Sequence, residues 1–180
     1  MLFDRWDLLT RLRSGDRSAY IQVAERYHAQ ICGYIYRLSG DSELASDICQ
    51  ETAISLWKSA PRFENIRSLR AWLYKVAHNA FIDSVRRGRQ RDRVFCEDQS
   101  DNSLTDPAIL ATNRIIIQQA LMSLPDDVRE AVVLIKGQDL TYTEAAEVLD
   151  TPVGTLKWRV SIGMKALRKS LFGEGETNDD

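Results

Sequence analysis

The segment TYTEAAEVLDTPVGTLKWRVSIGMKALRKSL, which begins at Thr141, constrains the fold most, because its local signals divide it into two helices joined by a tight turn. Thr141 can cap the first helix, and Glu144, three residues later, can complete a capping box. Asp150 and Thr151 form the predicted turn. We expect Thr151 to be the N-cap of the second helix and Pro152 to occupy its first position. A basic helix after such a turn is typical of a helix-turn-helix unit that binds DNA.

The second helix separates apolar side chains from side chains suited to DNA. Its apolar stripe recurs at steps of three and four residues and should face a core: Val153, Leu156, Val160, Met164, Leu167 and Leu171. The candidates for contact with duplex DNA lie elsewhere on the helix: Thr155, Lys157, Trp158, Arg159 and Lys165. Trp158 has two interpretations. Either it contacts DNA near the start of the helix, or its ring covers the stem of Lys165 or Arg159.

Charge is segregated along the chain. Its 24 Lys and Arg are outnumbered by 26 Asp and Glu, so the overall balance does not favour nucleic acid. However, residues 86–93 hold five Arg against one Asp, and residues 152–172 hold five cations and no acid, while acids collect in residues 97–106 and 173–180. Because local potential decides where phosphate binds, the two basic segments are candidate DNA surfaces.

The composition changes between the two halves of the chain. The run RDRVFCEDQSDNSLTD, from Arg91 to Asp106, is too polar to form a core and is typical of a mobile linker. Neither half shows the alternating pattern of β-strands. We therefore predict an all-α fold of two small helical domains joined by a flexible linker: a first domain over 1–91, a linker over 92–106, a second domain over 107–173 and an acidic tail over 174–180.

The first half is predicted to contain four helices, over residues 4–13, 16–38, from 41 or 42 to 60, and from 68 to 87 or beyond. The third helix places these residues on its buried side: Ala45, Ile48, Cys49, Thr52, Ala53, Leu56 and Trp57. Its other side carries Asp47, Gln50, Glu51, Ile54 and Lys58. That side is either a solvated face or a protein-contact patch, and an apolar residue surrounded by polar ones favours the patch.

The fourth helix has a mixed aromatic, amide and basic face. Trp72, Lys75, Asn79, Ile82 and Arg86 follow one another at helical spacing. Such a face suits unpaired DNA, because rings stack on bases while cations hold the backbone. The alternative is that Trp72 belongs to the core and the arginines form a solvated helix end.

The sequence gives no support for a membrane, metal-binding or catalytic role. No apolar run is long enough to span a membrane, and the segment MLFDRWDLL carries two Asp where a signal peptide would be basic, so we expect a cytoplasmic protein without membrane insertion. His28 and Cys32 have the helical spacing of metal ligands, but two ligands do not make a site. We therefore expect no metal, no cofactor and, because no catalytic triad pattern is present, no enzyme.

Three motifs together resemble the extracytoplasmic-function sigma factors of bacterial RNA polymerase. DICQETAISLW, from Asp47, is similar to the family's DxxQETF…LW helix, and WLYKVAHNAFIDSVRR, from Trp72, is similar to WLxxIAxNxxxDxxRR. LPDDVRE, from Leu124, followed by YTEAA, PVGT and KWR, is similar to LPxxxR…YxEIAxxLGxPxGTVKSR. The chain differs in having Asp150 for the usual turn Gly, Ala145 for Ile and Trp158 for Ser.

The resemblance implies sigma domain 2 in the first half and sigma domain 4 in the second. Its implied partners are core RNA polymerase, through the clamp coiled coil and the flap, promoter DNA and an anti-sigma factor. The implied polymerase-binding residues are Asp47, Gln50, Glu51, Ile54 and Trp57. The implied minus-10 residues are Arg67, Trp72, Lys75, Asn79, Arg86 and Arg87, with the loop Pro61 to Arg67 helping to hold a flipped base. The implied minus-35 residues are Thr155, Lys157, Trp158, Arg159 and Lys165.

Two other function classes remain open from the sequence. A stand-alone helix-turn-helix regulator would bind duplex DNA without polymerase. A helical protein-binding adaptor would not bind DNA at all. The resemblance favours a sigma factor that binds the minus-35 element as duplex and melts the minus-10 element.

Overall fold

The computed structural model describes residues 3–59, 66–92 and 108–173, and within these ranges it is helical without strands. The predicted linker lies outside the described residues except for Asp92, as does the acidic tail. The helices are α1 (Phe3–Arg13), α2 (Arg17–Ser39), α3 (Ser42–Ser59), α4 (Ile66–Asp92), α5 (Ala108–Met122), α6 (Asp126–Val132), α7 (Tyr142–Leu149) and α8 (Val153–Phe172), with a π-helical turn over Val133–Gly137. The predicted all-α class is confirmed.

The boundaries of α2 follow from its flanking residues. Asp16 has extended backbone angles, and its carboxylate accepts hydrogen bonds from the backbone N–H groups of Ser18 and Ala19. Gly40 ends the helix in the left-handed region, with φ of 75°. Glycine adopts that conformation without steric cost, so α2 is limited at both ends by local chemistry.

The helix-turn-helix forms with most of its predicted local features. The Thr141 hydroxyl accepts from Glu144 N at 3.2 Å, and the Glu144 carboxylate accepts from Thr141 N at 2.8 Å, which completes the capping box. Asp150 takes the left-handed turn at φ 48°. The prediction for Thr151 was wrong. Pro152 occupies the N-cap position of α8, and the Thr151 hydroxyl donates to the Leu149 carbonyl at 3.0 Å, because the tight turn brings that acceptor within its reach.

The packing of α8 on α6 depends on a small residue. Gly163 is buried on α8, where a Cβ would lie 2.5 Å from a methyl group of Val132 and 2.8 Å from one of Val128. Both distances are far below van der Waals contact, so only glycine permits this approach. The predicted apolar stripe faces the same interior, with Leu156 and Val160 buried and Met164 half-buried against the core.

The two halves of the chain pack against each other. Helix α7 and the segment before it lie against α4, and α5 lies against α2. Arg70 donates to the Gln138 carbonyl and Tyr74 Oη donates to Gln138 Oε1, each at 2.8 Å. Gln118 Nε2 donates to the Tyr36 carbonyl at 3.1 Å. The buried apolar side chains of both halves therefore form one continuous core.

Candidate functional site

The first candidate surface lies on α3 and combines polar and apolar side chains. Asp47, Gln50, Glu51, Ile54 and Trp57 are all exposed, and Ile54 and Trp57 keep 55% and 49% of their surface in solvent. Their spacing places all five on one side of the helix. The structure thus presents a contiguous surface with two large apolar groups, which is more typical of a protein contact than of a solvated face.

Trp57 does not lie on the buried side of α3, and that prediction was wrong. Its ring meets Tyr20 edge-on, with centroids 5.1 Å apart and planes at 82°. Tyr20 Oη in turn donates to the Ala53 carbonyl at 2.9 Å, which attaches the tyrosine to the same helix. The indole is therefore held in place on one edge and open to solvent over about half its surface.

The second candidate surface is the mixed face of α4. Lys75, Asn79, Arg86 and Arg87 are exposed along it. Trp72 is half-buried and packs against the core, as the core alternative expects, and its contact with unpaired DNA stays a prediction. Arg67 lies in the first turn of α4, but its side chain is outside the described part of the structure. Residues 61–65 of the loop Pro61 to Arg67, which is expected to help hold a flipped base, are outside it as well.

The third candidate surface is the outer side of α8. Thr155, Lys157, Trp158 and Lys165 are exposed, and Trp158 leaves 60% of its surface in solvent. The Lys157 ammonium lies 5.9 Å from the centre of the Tyr142 ring, within the range of a cation–π contact. Neighbouring cations and a projecting ring form a surface suited to the groove of a duplex.

Arg159 differs from the other predicted members of this surface. It is half-buried, and its Nε lies 3.1 Å from Asp127 Oδ2 on α6. Its Nη1 lies 3.5 Å from Thr151 Oγ1 in the turn. The guanidinium therefore connects α8 to α6 and to the turn, which orients the helix that carries Trp158.

Arg129, which the sequence motif contained without a role, supports the base of the same unit. It is buried, forms an ion pair with Asp126, and donates to the carbonyls of Met122 and Leu124 at 3.3 and 3.4 Å. These carbonyls belong to the end of α5 and the residues after it, where backbone acceptors have no helical partner. A buried cation at this point fixes the angle between α5 and α6.

Two titratable groups lie close to the contact between the halves. Burial raises the pKa of Glu130 to about 7, with Asp126 adding to the rise and Arg129 opposing it. Burial lowers the pKa of His78 to about 4, and its Nδ1 lies 3.1 Å from Tyr34 Oη. Burial, followed by the charge of Glu130, raises the pKa of Tyr34.

A further cluster joins α2 to α3. His28, Cys32 and Cys49 place their imidazole nitrogen and sulfur atoms within 4.8 Å of one another. Helical spacing relates only His28 to Cys32, because Cys49 comes from another helix and its proximity depends on how α2 and α3 pack. Among the described residues, Cys32 and Cys49 are free thiols.

Comparison with known proteins supports the resemblance along the chain. The family model for Sigma-70 region 2 matches residues 23–91, and that for Sigma-70, region 4 matches residues 114–167. The chain is 30% identical over 176 residues to the ECF RNA polymerase sigma factor SigW of Bacillus subtilis, with 91% of this chain and 94% of that protein covered. It is 34% identical over 170 residues to SigE of Mycolicibacterium smegmatis, with 88% and 65% covered.

Solved structures agree with the fold. The sigma factor RpoE in complex with the anti-sigma factor NepR from Bartonella quintana superposes with a TM-score of 0.71 at 28% identity, covering 87% of this chain and 98% of that one. CnrH in complex with the cytosolic domain of CnrY superposes with a TM-score of 0.71 at 22% identity, covering 93% and 97%, and supports the fold alone.

The order of these matches, region 2 before region 4 in one helical chain, defines a sigma factor of the sigma-70 type. The chain belongs to the ECF sigma factors of bacterial RNA polymerase. As a member of this family it directs promoter-specific transcription, and the stand-alone regulator is not favoured. Within the described residues, no helix has the length and apolar character needed to cross a bilayer.

Proposed function

We propose that the chain binds core RNA polymerase through α3, contacts the melted minus-10 element with α4 and binds the minus-35 duplex with α8. It acts as a non-catalytic initiation factor in the cytoplasm. Domain 2 extends over 1–91, the linker over 92–106, domain 4 over 107–173 and the acidic tail over 174–180. The observation that carries this proposal is the exposure, on three separate helices, of most of the candidate side chains that the structure describes.

The α3 surface is assigned to the polymerase clamp coiled coil. It offers acceptors at Asp47 and Glu51, an amide at Gln50 and apolar contact area at Ile54 and Trp57. An interface core of aromatic and aliphatic groups surrounded by polar ones has the composition that protein–protein contacts favour. Domain 4 supplies the second contact, with the polymerase flap.

The α4 surface is assigned to single-stranded minus-10 DNA. Asn79 can bond base edges, Lys75, Arg86 and Arg87 can neutralise phosphates, and the exposed part of Trp72 offers a ring for stacking. Arg67 completes this set by the resemblance.

The α8 surface is assigned to the minus-35 element. Trp158 cannot make the paired hydrogen bonds that Arg or Asn make to bases, so its contact is a thymine methyl group or the sugar-phosphate wall. Lys157, Lys165 and Thr155 fix the register on phosphates. Arg159 contributes mainly by holding α8, because Asp127 and Thr151 already bind its guanidinium.

An anti-sigma factor is the fourth proposed partner. The structural neighbour RpoE is in complex with the anti-sigma factor NepR. The α3 surface is accessible to such a partner, and occupying it would exclude polymerase.

The test is a selection from a randomised minus-35 library with holoenzyme that contains wild-type protein or Trp158→Ser. We expect the variant to change preference by about 1–3 kcal/mol at one or two base pairs. Lys157→Ala is the matched comparison: it should weaken all sequences alike and reduce the salt dependence. Unchanged preference together with a large fall in melting temperature would make Trp158 a structural residue and remove it from the proposed DNA contact.

A further inference from the structure

The group formed by His28, Cys32 and Cys49 has the donor set of a zinc site. Zinc favours thiolate sulfur and imidazole nitrogen, and three such ligands from the protein are the usual complement of a site with one open position. Two of the ligands are one helical turn apart on α2, and the third is on α3. The group therefore brings together residues from two elements that already pack against each other.

The distances need little adjustment. Cys32 Sγ lies 3.9 Å from both ring nitrogens of His28, and all three donor atoms lie within 4.8 Å of one another. Tetrahedral zinc, with bonds of about 2.3 Å to sulfur and about 2.0 Å to nitrogen, places its ligands roughly 3.5–3.8 Å apart. The difference amounts to about 1 Å or less, which small rotations about side-chain bonds supply.

The three candidate ligands differ in burial, so the group is closed toward the core and accessible from solvent. Cys49 is buried, Cys32 is half-buried and His28 is exposed, so an ion can enter from the solvent side. Cys49 Sγ also lies 3.5 Å from the His28 carbonyl, which directs the thiol toward α2. Two thiolates and one neutral imidazole balance the charge of a divalent ion, so the assembly can sit partly buried without an unpaired charge.

Space for a fourth ligand is present beside the group. A pocket of about 180 Å³, lined mainly by apolar side chains, lies between α2, α3 and α4, and His28 and Cys49 form part of its wall. A bound water or a small ligand atom fits there. If the two thiols were only packed in the core beside a surface histidine, their donor atoms would not need to lie this close to the imidazole nitrogens.

We propose that His28, Cys32 and Cys49 form a zinc site that fastens α3 to α2. Cys49 immediately precedes Gln50 on α3, so the ion would hold in place the helix that carries the surface assigned to polymerase. The proposal concerns the metal alone and stands whether or not that assignment is correct.

The experiment measures binding of Zn²⁺ and Co²⁺ to the reduced, full-length chain. We expect the wild-type chain to bind one ion with thiolate-to-cobalt charge-transfer absorption and the visible bands of tetrahedral Co²⁺, and its melting temperature to rise with zinc. His28→Gln and Cys32→Ser should each weaken zinc binding at least about tenfold and lose the thermal shift. Both change accessible side chains, and circular dichroism checks that the helices are retained.

Cys96→Ser is the matched control, because it removes the remaining cysteine of the chain without touching the proposed site. It should bind zinc as the wild type does. Failure of the reduced wild-type chain to bind zinc stoichiometrically would overturn the proposal. Equal binding by wild type, His28→Gln and Cys32→Ser, or a loss as large in Cys96→Ser, would overturn it as well.

Discussion

Glu130→Gln is expected to stabilise the protein at pH 8 and to leave its stability nearly unchanged at pH 4.5. Burial raises the pKa of Glu130 from 4.5 to about 7, so between these values the folded chain binds a proton that the unfolded chain has released. The free energy of unfolding of the wild type therefore loses this contribution as pH rises from 4.5 to 7. Glutamine stays neutral and avoids the loss.

The size of the expected stabilisation by Glu130→Gln at pH 8 follows from the same pKa. At about 1.4 kcal/mol per pKa unit, the rise from 4.5 to about 7 has a ceiling of about 3.5 kcal/mol. Because the residue is half-buried and in partial contact with solvent, we expect about 2 kcal/mol. Urea unfolding followed by circular dichroism at steps from pH 4.5 to 8 measures it. Taking the difference between variant and wild type cancels the other titrating groups that the two proteins share.

His78 provides a comparison of opposite sign. Burial lowers its pKa from 6.5 to about 4, so between these values the unfolded chain binds a proton that the folded chain does not, and stability is lost as pH falls. Glu130 and His78 change the free energy of unfolding in opposite directions over nearly the same pH interval. In the wild type their effects on the pH dependence of stability therefore partly cancel. His78→Gln should gain stability relative to wild type toward pH 4.5, whereas Glu130→Gln gains toward pH 8. A Glu130→Gln difference that stays constant from pH 4.5 to 8 would refute the reasoning.

Replacing Gln50 and Glu51 together with Ala should keep the helix content and weaken capture of core RNA polymerase in a pull-down, because both side chains are exposed on α3; full capture would exclude this surface from the contact. Asn79→Ala should spare closed-complex formation and reduce permanganate reactivity of thymines in the minus-10 region, and undiminished reactivity would leave that face merely solvated. Gly163→Ala should lower the free energy of unfolding by about 1–3 kcal/mol, since its Cβ would collide with α6. Gly154→Ala on the same helix, where a Cβ meets nothing within 4 Å, should be neutral or stabilising by up to about 1 kcal/mol, and equal thermal shifts for the two glycine variants would contradict the packing argument.

The features that the sequence predicted correctly depend on neighbours in the chain. The capping box at Thr141 and Glu144, the left-handed turn at Asp150 and the end of α2 at Gly40 each involve residues within about four positions of one another. Backbone angles and local hydrogen bonds determine such features with little help from the rest of the molecule. For the same reason the order of the helices and the all-α class were predictable.

The features that the sequence did not predict depend on contacts between residues far apart in the chain. Periodicity placed Trp57 with the core, but the adjacent Leu56 fills that position, and Trp57 rests on Tyr20 at the surface. Arg159 was grouped with the DNA-facing residues because its partner, Asp127, lies 32 positions earlier on another helix. Cys49 lies close to His28 and Cys32 because α3 packs against α2, a contact that helical spacing does not predict. Helical spacing predicts the side of a helix on which a residue lies, but it does not predict which residues of other helices pack against that side.

The contact between the halves has a consequence for the distances that the protein must span. Elements centred on minus 10 and minus 35 are separated by about 25 base pairs, which is roughly 85 Å along B-form DNA. Here α7 lies directly on α4, joined through Gln138 to Arg70 and Tyr74. If α4 and α8 contact the two elements at the same time, as proposed, the halves must separate and this contact must be lost. In the closed form the halves are in contact, and in the open form they are apart. Each 1.4 kcal/mol by which the closed form is favoured then lowers the apparent promoter affinity about tenfold. A partner that binds only the open form raises the promoter affinity again, because it increases the open population.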